Sequence, residues 1–171
     1  MINMKKLKNL FLLLCSILAL TTLTACDPQR ASELAEGFST ESDVRMKFGE
    51  PEQVWQEPNG VRVLEYNRQP EGTTNYMISI GPDGKMLALR QVLSPANFAK
   101  ITPGMDVQEV RRMLGKPMKM TPFPSQTRWH YDWRYQDGPN NSDRKIFTVI
   151  FTSDLKVVST QSVEDPALRP N

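Results

Sequence analysis

The side chains best suited to binding or chemistry cluster in one run, Trp129-His130-Tyr131-Asp132-Trp133-Arg134-Tyr135. Four aromatic rings alternate with polar residues. A strand sends alternate side chains to opposite faces, so the rings share one face of a sheet. Two readings of that face stay open. It is core packed under helices, or part of it, with Phe123, forms a patch for a protein partner or a lipid headgroup, because exposed aromatics make good hot spots. His130 is the only histidine, and at an alternating strand position it reads as solvent-facing. A metal site needs several His or Cys ligands at close spacing, so neither a metal nor another cofactor is expected. A Ser-His-Asp arrangement would need a nucleophile motif that is missing; no catalytic residue is assigned and no enzyme is expected. Gly81-Pro82-Asp83-Gly84 lacks the Lys and following helix of a phosphate-binding loop and reads as a turn. The pair Arg111-Arg112 reads as the solvated side of a helix. Attraction to anionic headgroups, about 1 kcal/mol per basic residue near a membrane, is the alternative.

The one thiol with a chemical role to play is Cys26. Before it, Lys5, Lys6 and Lys8 form a positive start, and Leu10 to Leu20 is apolar apart from Ser16. Those 11 residues are too few to cross a hydrocarbon core, which needs about 20 helical residues. This is the layout of a secretion signal, residues 1–25. Leu23-Thr24-Ala25-Cys26 resembles the lipobox of bacterial lipoproteins. The resemblance implies cleavage between Ala25 and Cys26 and acylation of Cys26, which then anchors the protein to a membrane. Two or three acyl chains hold a protein stably where one holds it marginally. The residue after the cysteine, Asp27, resembles an inner-membrane retention signal of enteric bacteria, which leaves the inner membrane open beside the outer one.

Cleavage changes the charge. Three of the 21 basic side chains lie in the leader, so 18 remain against 19 acidic ones. The apparent basicity belongs to the discarded peptide, and nucleic acid is not an expected partner. Cys15 also lies in the leader, so the folded part has no cysteine for a disulfide. About 146 residues must hold together by burial, which a domain of that size does adequately.

What positions these residues is a repeat. Val44-Arg45-Met46-Lys47-Phe48-Gly49-Glu50-Pro51 aligns with Val110-Arg111-Arg112-Met113-Leu114-Gly115-Lys116-Pro117 at an offset of 66 residues, and Gly37 and Gly104 open the two units. In the second copy Asp106 and Glu109 form a capping box and Met105 staples onto Val110. Val107, Val110, Met113 and Leu114 make one apolar face, then Gly115 and Pro117 stop the helix. The first copy repeats this with Thr40, Asp43, Val44, Phe48, Gly49 and Pro51. A short helix is expected before each, at Ser32–Glu36 and after Ser94-Pro95. Strands follow at Val61–Tyr66, Tyr76–Ile80 and Met86–Val92, and again at Trp129–Tyr135, Ile146–Phe151 and Lys156–Val163. Loops are expected at Glu57–Gly60, Pro70–Thr73, Thr121–Gln126 and Asp137–Asp143. The chain therefore reads as α+β, two tandem units of helix, helix and three-stranded antiparallel sheet. Their ranges are a linker at 26–31, units at 32–93 and 94–163, and a loose tail at 164–171.

Gly104-Met105, Val110, Leu114-Gly115-Lys116-Pro117, Pro122-Phe123 and Trp129-His130-Tyr131 resemble the BamE (SmpA/OmlA) family of small lipoproteins. The likeness covers Ile101 to about Val163 and continues more weakly through Gly37, Val44, Phe48-Gly49 and Pro51. It implies a helix-helix-three-strand fold and a role beside the outer-membrane β-barrel assembly machinery, at the periplasmic face of the outer membrane. Family members carry one unit and this chain has two, an arrangement similar to β-lactamase-inhibitor-type proteins. That similarity implies the rival reading, a module that caps a periplasmic enzyme. By resemblance, the Pro-Phe segment and the Trp-x-Tyr strand are the contact region. The candidate partner residues are Phe123, Trp129, Tyr131 and Trp133, with Phe123 the best single one.

Overall fold

Two helices carry the repeated motif. In the computed structural model, which describes residues 27–168, Thr40 caps the helix Glu41–Phe48 and Asp106 caps Val107–Leu114, each with a complete capping box. Such a cap is worth about 1 kcal/mol. Gly49 and Gly115 end them at φ 82° and 77°, and each glycine N–H donates to the carbonyl of an arginine four residues back, Arg45 or Arg111. We label the helices α1 (Asp27–Ser32), α2 (Glu41–Phe48), α3 (Pro95–Phe98) and α4 (Val107–Leu114). The chain divides between Leu34 and Ala35, with α1 on the leading side and every other element after it. The helix expected at Ser32–Glu36 does not form. Only Ser32 is helical, and α1 occupies what was read as the linker; Glu36–Phe38 is a turn.

Each half builds an antiparallel sheet of four strands rather than three. The first is β1 (Gln53–Gln56), β2 (Arg62–Asn67), β3 (Asn75–Ile80) and β4 (Met86–Gln91). The second is β5 (Lys119–Phe123), β6 (Arg128–Gln136), β7 (Arg144–Thr152) and β8 (Val157–Glu164), and both sheets run in chain order. The added strands are β1 and β5, the latter taking residues expected to be loop. The halves match in detail: register shifts fall at Ser79/Ile80 and Ile150/Phe151, and isolated bridges join Thr40 to Lys85 and Asp106 to Lys156.

The pleat decides what each sheet face meets. On one face of the first sheet Leu64 pairs with Ile78 and Tyr66 with Tyr76. The α2 residues Val44 and Phe48 cover it, the Phe48 ring lying 5.2 Å from Tyr66 and 5.3 Å from Tyr76. The other face carries Glu65, Met77 and Asn75 and meets α4. Met77 shares one core with Val107, Val110 and Leu114, and with Tyr131, Trp133, Val149 and Phe151 of the second sheet. Phe98 of α3 stacks on Phe147 at 3.9 Å and 5°. The order is thus helix, sheet, helix, sheet, and α4 is the shared layer. Burying each large side chain of this core contributes about 1.5–3 kcal/mol. The tail is not loose through Leu168. Asp165 is 1% exposed, accepts from Arg134 Nε at 2.8 Å and, through Oδ1, from the Ala167 N–H at 3.0 Å. Among the described residues no helix is long and apolar enough to cross a membrane.

Candidate binding face on the second sheet

Register splits the aromatic candidates between two faces. Trp129, Tyr131, Trp133 and Tyr135 do share one face of β6, and it is the face that packs on α3 and α4. Trp133 is fully buried and donates from Nε1 to the Gly115 carbonyl at 3.1 Å; Tyr131 is 9% exposed. Both are core rings, and neither is available to a partner. Trp129 is partly buried against the same core. Phe123 pairs with Arg128, while Pro122 pairs with Trp129. Directly paired residues point to the same side, so Phe123 lies on the open face, away from all four rings. A single patch of Phe123, Trp129, Tyr131 and Trp133 therefore does not exist.

The open face is built from the alternate residues of β6 and their neighbours. The Phe123 ring rests on His130, with centroids 4.2 Å apart and planes tilted by 36°. Beyond His130 a groove of about 380 Å³ runs over Ile146 and Thr148, bordered by Lys119, Asp132, Val163 and Asp165. Ile146 and Thr148 are buried, and Thr148 Oγ1 donates to Asp132 Oδ1 at 2.7 Å. Half-exposed Val163 adds an apolar wall. The face offers an aromatic pair, an apolar floor and charges of both signs: the materials of a protein contact. Among the described residues no group of three or more His, Cys, Asp or Glu is placed to hold a metal.

Other expected groups have different places. Gly81–Gly84 is a turn closed by Gly84 N–H to Gly81 O at 2.9 Å, joining β3 to β4. Arg111 and Arg112 both reach toward the first sheet; Arg111 keeps a quarter of its side chain in water, and Arg112 stays about half exposed, as expected of a solvated face. Arg111 Nη2 lies 3.6 Å from Glu65 Oε1, and Arg112 donates to Glu57 at 2.7 Å while sitting 5.1 Å over the Trp55 ring. Ala25 and Cys26 lie outside the described residues.

Sequence reading missed the joint that holds the two sheets together. Glu65 has no exposed surface, and it accepts from Trp55 Nε1 at 3.1 Å and from the Lys116 N–H at 2.7 Å. Buried Asn75 donates to the Leu114 carbonyl at 2.8 Å, satisfying an end of α4 from the neighbouring sheet. Beside them Lys116 pairs with Glu52. Burial pushes the Glu52 carboxyl up, but bonds from Lys116 and Asn67 and the Arg111 charge outweigh that and hold it below its ordinary value. The signal was present as a Glu inside the apolar run Val63-Leu64-Glu65-Tyr66, because a buried carboxylate needs partners.

Most of the open face, Phe123 and His130 included, lies within a segment that known proteins share. Residues 91–161 match the family model of the outer membrane protein assembly factor BamE domain. The outer membrane protein assembly factor BamE of Yersinia pestis is 40% identical over 76 residues, 44% of this chain and 63% of that protein. The protein of the same description from Salmonella typhimurium strain LT2 is 39% identical over 61 residues, 36% of this chain and 54% of that one. The chain thus spans less than two thirds of the length of either relative. Among solved structures, a DUF4309 family protein (YjgB) of Bacillus subtilis aligns over 81% of this chain and 86% of its own, at 21% identity and a TM-score of 0.33.

Proposed function

We propose that the chain, whose residues 91–161 match the BamE domain model, is a non-enzymatic envelope lipoprotein that assists outer-membrane β-barrel assembly. In this reading residues 1–25 are removed, acyl chains on Cys26 hold the protein at the periplasmic face of the outer membrane, and partners dock on the open face of the second sheet. The first half is a diverged copy of the same unit, a view supported by its matching cap, stop and register shift. Fold alone does not transfer function. The observation that carries the proposal is the match to the family model over residues 91–161, the segment that bears Phe123, His130 and the groove floor of Ile146 and Thr148.

The layering adds support. Both faces of the first sheet meet helices, so an open sheet face is a feature of the second half alone. An inhibitor-type module would instead present one surface across both halves. Phe123 remains the contact residue of choice, because its ring lies on His130 at the rim and outside the core cluster.

The test is affinity capture of the tagged, full-length protein from mildly solubilised membranes. Barrel-assembly components should co-elute, and Phe123→Ala should reduce their recovery by about tenfold, as loss of a hot spot of 1–2 kcal/mol does. The melting temperature should stay within about 2 °C. Enrichment of one soluble periplasmic enzyme in their place would establish the inhibitor reading. Recovery of the protein with inner-membrane fractions would show that Asp27 acts as a retention signal.

A further inference from the structure

The most exposed large apolar side chain among the described residues is Phe38, with 82% of its surface in water. Gly37 N–H donates to the Met86 carbonyl, and Met86 N–H donates to the Ser39 carbonyl, so Phe38 is held beside the start of β4. There Leu87 is 46% exposed. Lys85, the residue before Met86, is exposed and bridged to Thr40. The acids beside this tip are engaged: Asp83 Oδ1 accepts from the Lys85 N–H at 3.1 Å, Glu36 accepts from the Leu89 N–H at 3.0 Å and pairs with Arg90, and Glu41 pairs with Arg45 and Arg62. A phenyl ring, an aliphatic side chain and an ammonium group thus share one tip of the first sheet. None of them serves the core or the open face of the second sheet.

We propose that this tip seats in the headgroup region of the lipid bilayer. The proposal rests on the acylation of Cys26, because chain length then decides the occupant. Phe38 lies twelve positions after Cys26, and six of the eleven residues between them form α1. At 1.5 Å per helical residue and about 3.5 Å per extended one, the tip lies within about 30 Å of the anchored cysteine. Tethering at that range gives the bilayer a large effective concentration for the tip. Interfacial binding rewards this mixture, with apolar groups at the acyl boundary and a cation near anionic headgroups. The acyl chains set location, and the tip sets orientation: with Phe38 down, the first half is pinned to the membrane.

The experiment places an environment-sensitive fluorophore on Phe38→Cys in the full-length, acylated protein. This site labels alone, since Cys15 leaves with the leader and acylated Cys26 has no free thiol. The protein is reconstituted in phosphatidylethanolamine–phosphatidylglycerol vesicles with or without brominated acyl chains. A blue-shifted emission quenched severalfold by bromine is expected. A water-like, unquenched emission from protein whose acylation is verified by mass spectrometry would overturn the proposal and leave the anchor standing. Protein without acyl groups would sink the anchor, and the proposal with it. The same label in a soluble Cys26→Ser chain expressed without residues 1–25, in the absence of vesicles, should show no blue shift. A shift there that grows with concentration would assign the tip to a second copy of the chain and overturn the membrane reading. Phe38→Ser should lower vesicle partitioning of that soluble chain by roughly tenfold, as removal of a few buried methylene equivalents does.

Discussion

Gly115 and Gly49 end equivalent helices with nearly equal dihedral angles, yet their surroundings differ. Both sit at positive φ, where an L side chain is strained. At Gly49 a Cβ would meet nothing within 4 Å; at Gly115 it would press on Asn75 Nδ2 and Glu65 Oε1, each at 3.0 Å. Two costs therefore separate cleanly. Gly49→Ala should lose about 1 kcal/mol, the price of the dihedral alone. Gly115→Ala should lose about 2–3 kcal/mol, because the clash also disturbs bonds to a buried carboxylate and a buried amide. Urea denaturation of both variants checks this. Equal losses would mean that the joint yields easily to an extra methyl group.

A carboxylate closes the cap at the start of both long helices. Asp43 accepts from the Thr40 N–H at 2.8 Å and Asp106 from the Gln108 N–H at 2.7 Å, and these backbone bonds hold both carboxyls below their ordinary values. Glu41 follows the first cap. Burial pushes its carboxyl up, but bonds from Arg45 and Arg62 prevail and set it low. A carboxyl with a depressed folded pKa adds stability that is present above its unfolded value, near pH 4, and lost as pH falls through the folded one. The melting temperature should be level from pH 7 to about 5 and then fall towards pH 2. Asp43→Asn with Asp106→Asn should flatten that acid limb in a circular-dichroism series; an unchanged slope would put the sensitivity elsewhere. These caps were legible in the sequence because a capping box spans only four residues, and the six longer strands were legible from their alternation. The short strands β1 and β5 were not. Four or five residues carry too little period, and Pro122 argues against a strand unless it lies at an edge. The face that Phe123 takes depends on its pairing with Arg128, and the direction of Arg111 depends on Glu65, 46 positions earlier. Both are tertiary facts that local spacing does not contain.

At the scale of the whole molecule, the joint decides whether two similar halves behave as one protein. Helix α4 belongs by sequence to the second half, yet its end is satisfied by Asn75 and its Arg111 pairs with Glu65, both from the first. Met77 of the first sheet lies in the same core as Trp133 and Phe151. Opening the joint would leave a buried carboxylate without its cation and the Leu114 carbonyl without its donor, so neither half can unfold alone cheaply. One cooperative transition is expected for the intact protein. Breaking a buried pair typically costs 3–5 kcal/mol, and Arg111 keeps a quarter of its side chain in water, so Glu65→Ala should cost about 3 kcal/mol. In a cycle with Arg111→Ala, the pair should show a coupling of about 1–2 kcal/mol. Hydrogen exchange gives the sharper readout. Amides of β2–β3 and of β6–β7 should lose protection together in Glu65→Ala, since global opening would govern both. If only β2 and β3 lose protection, the second half stands by itself, and the first is an attachment to the family domain rather than a partner in its folding.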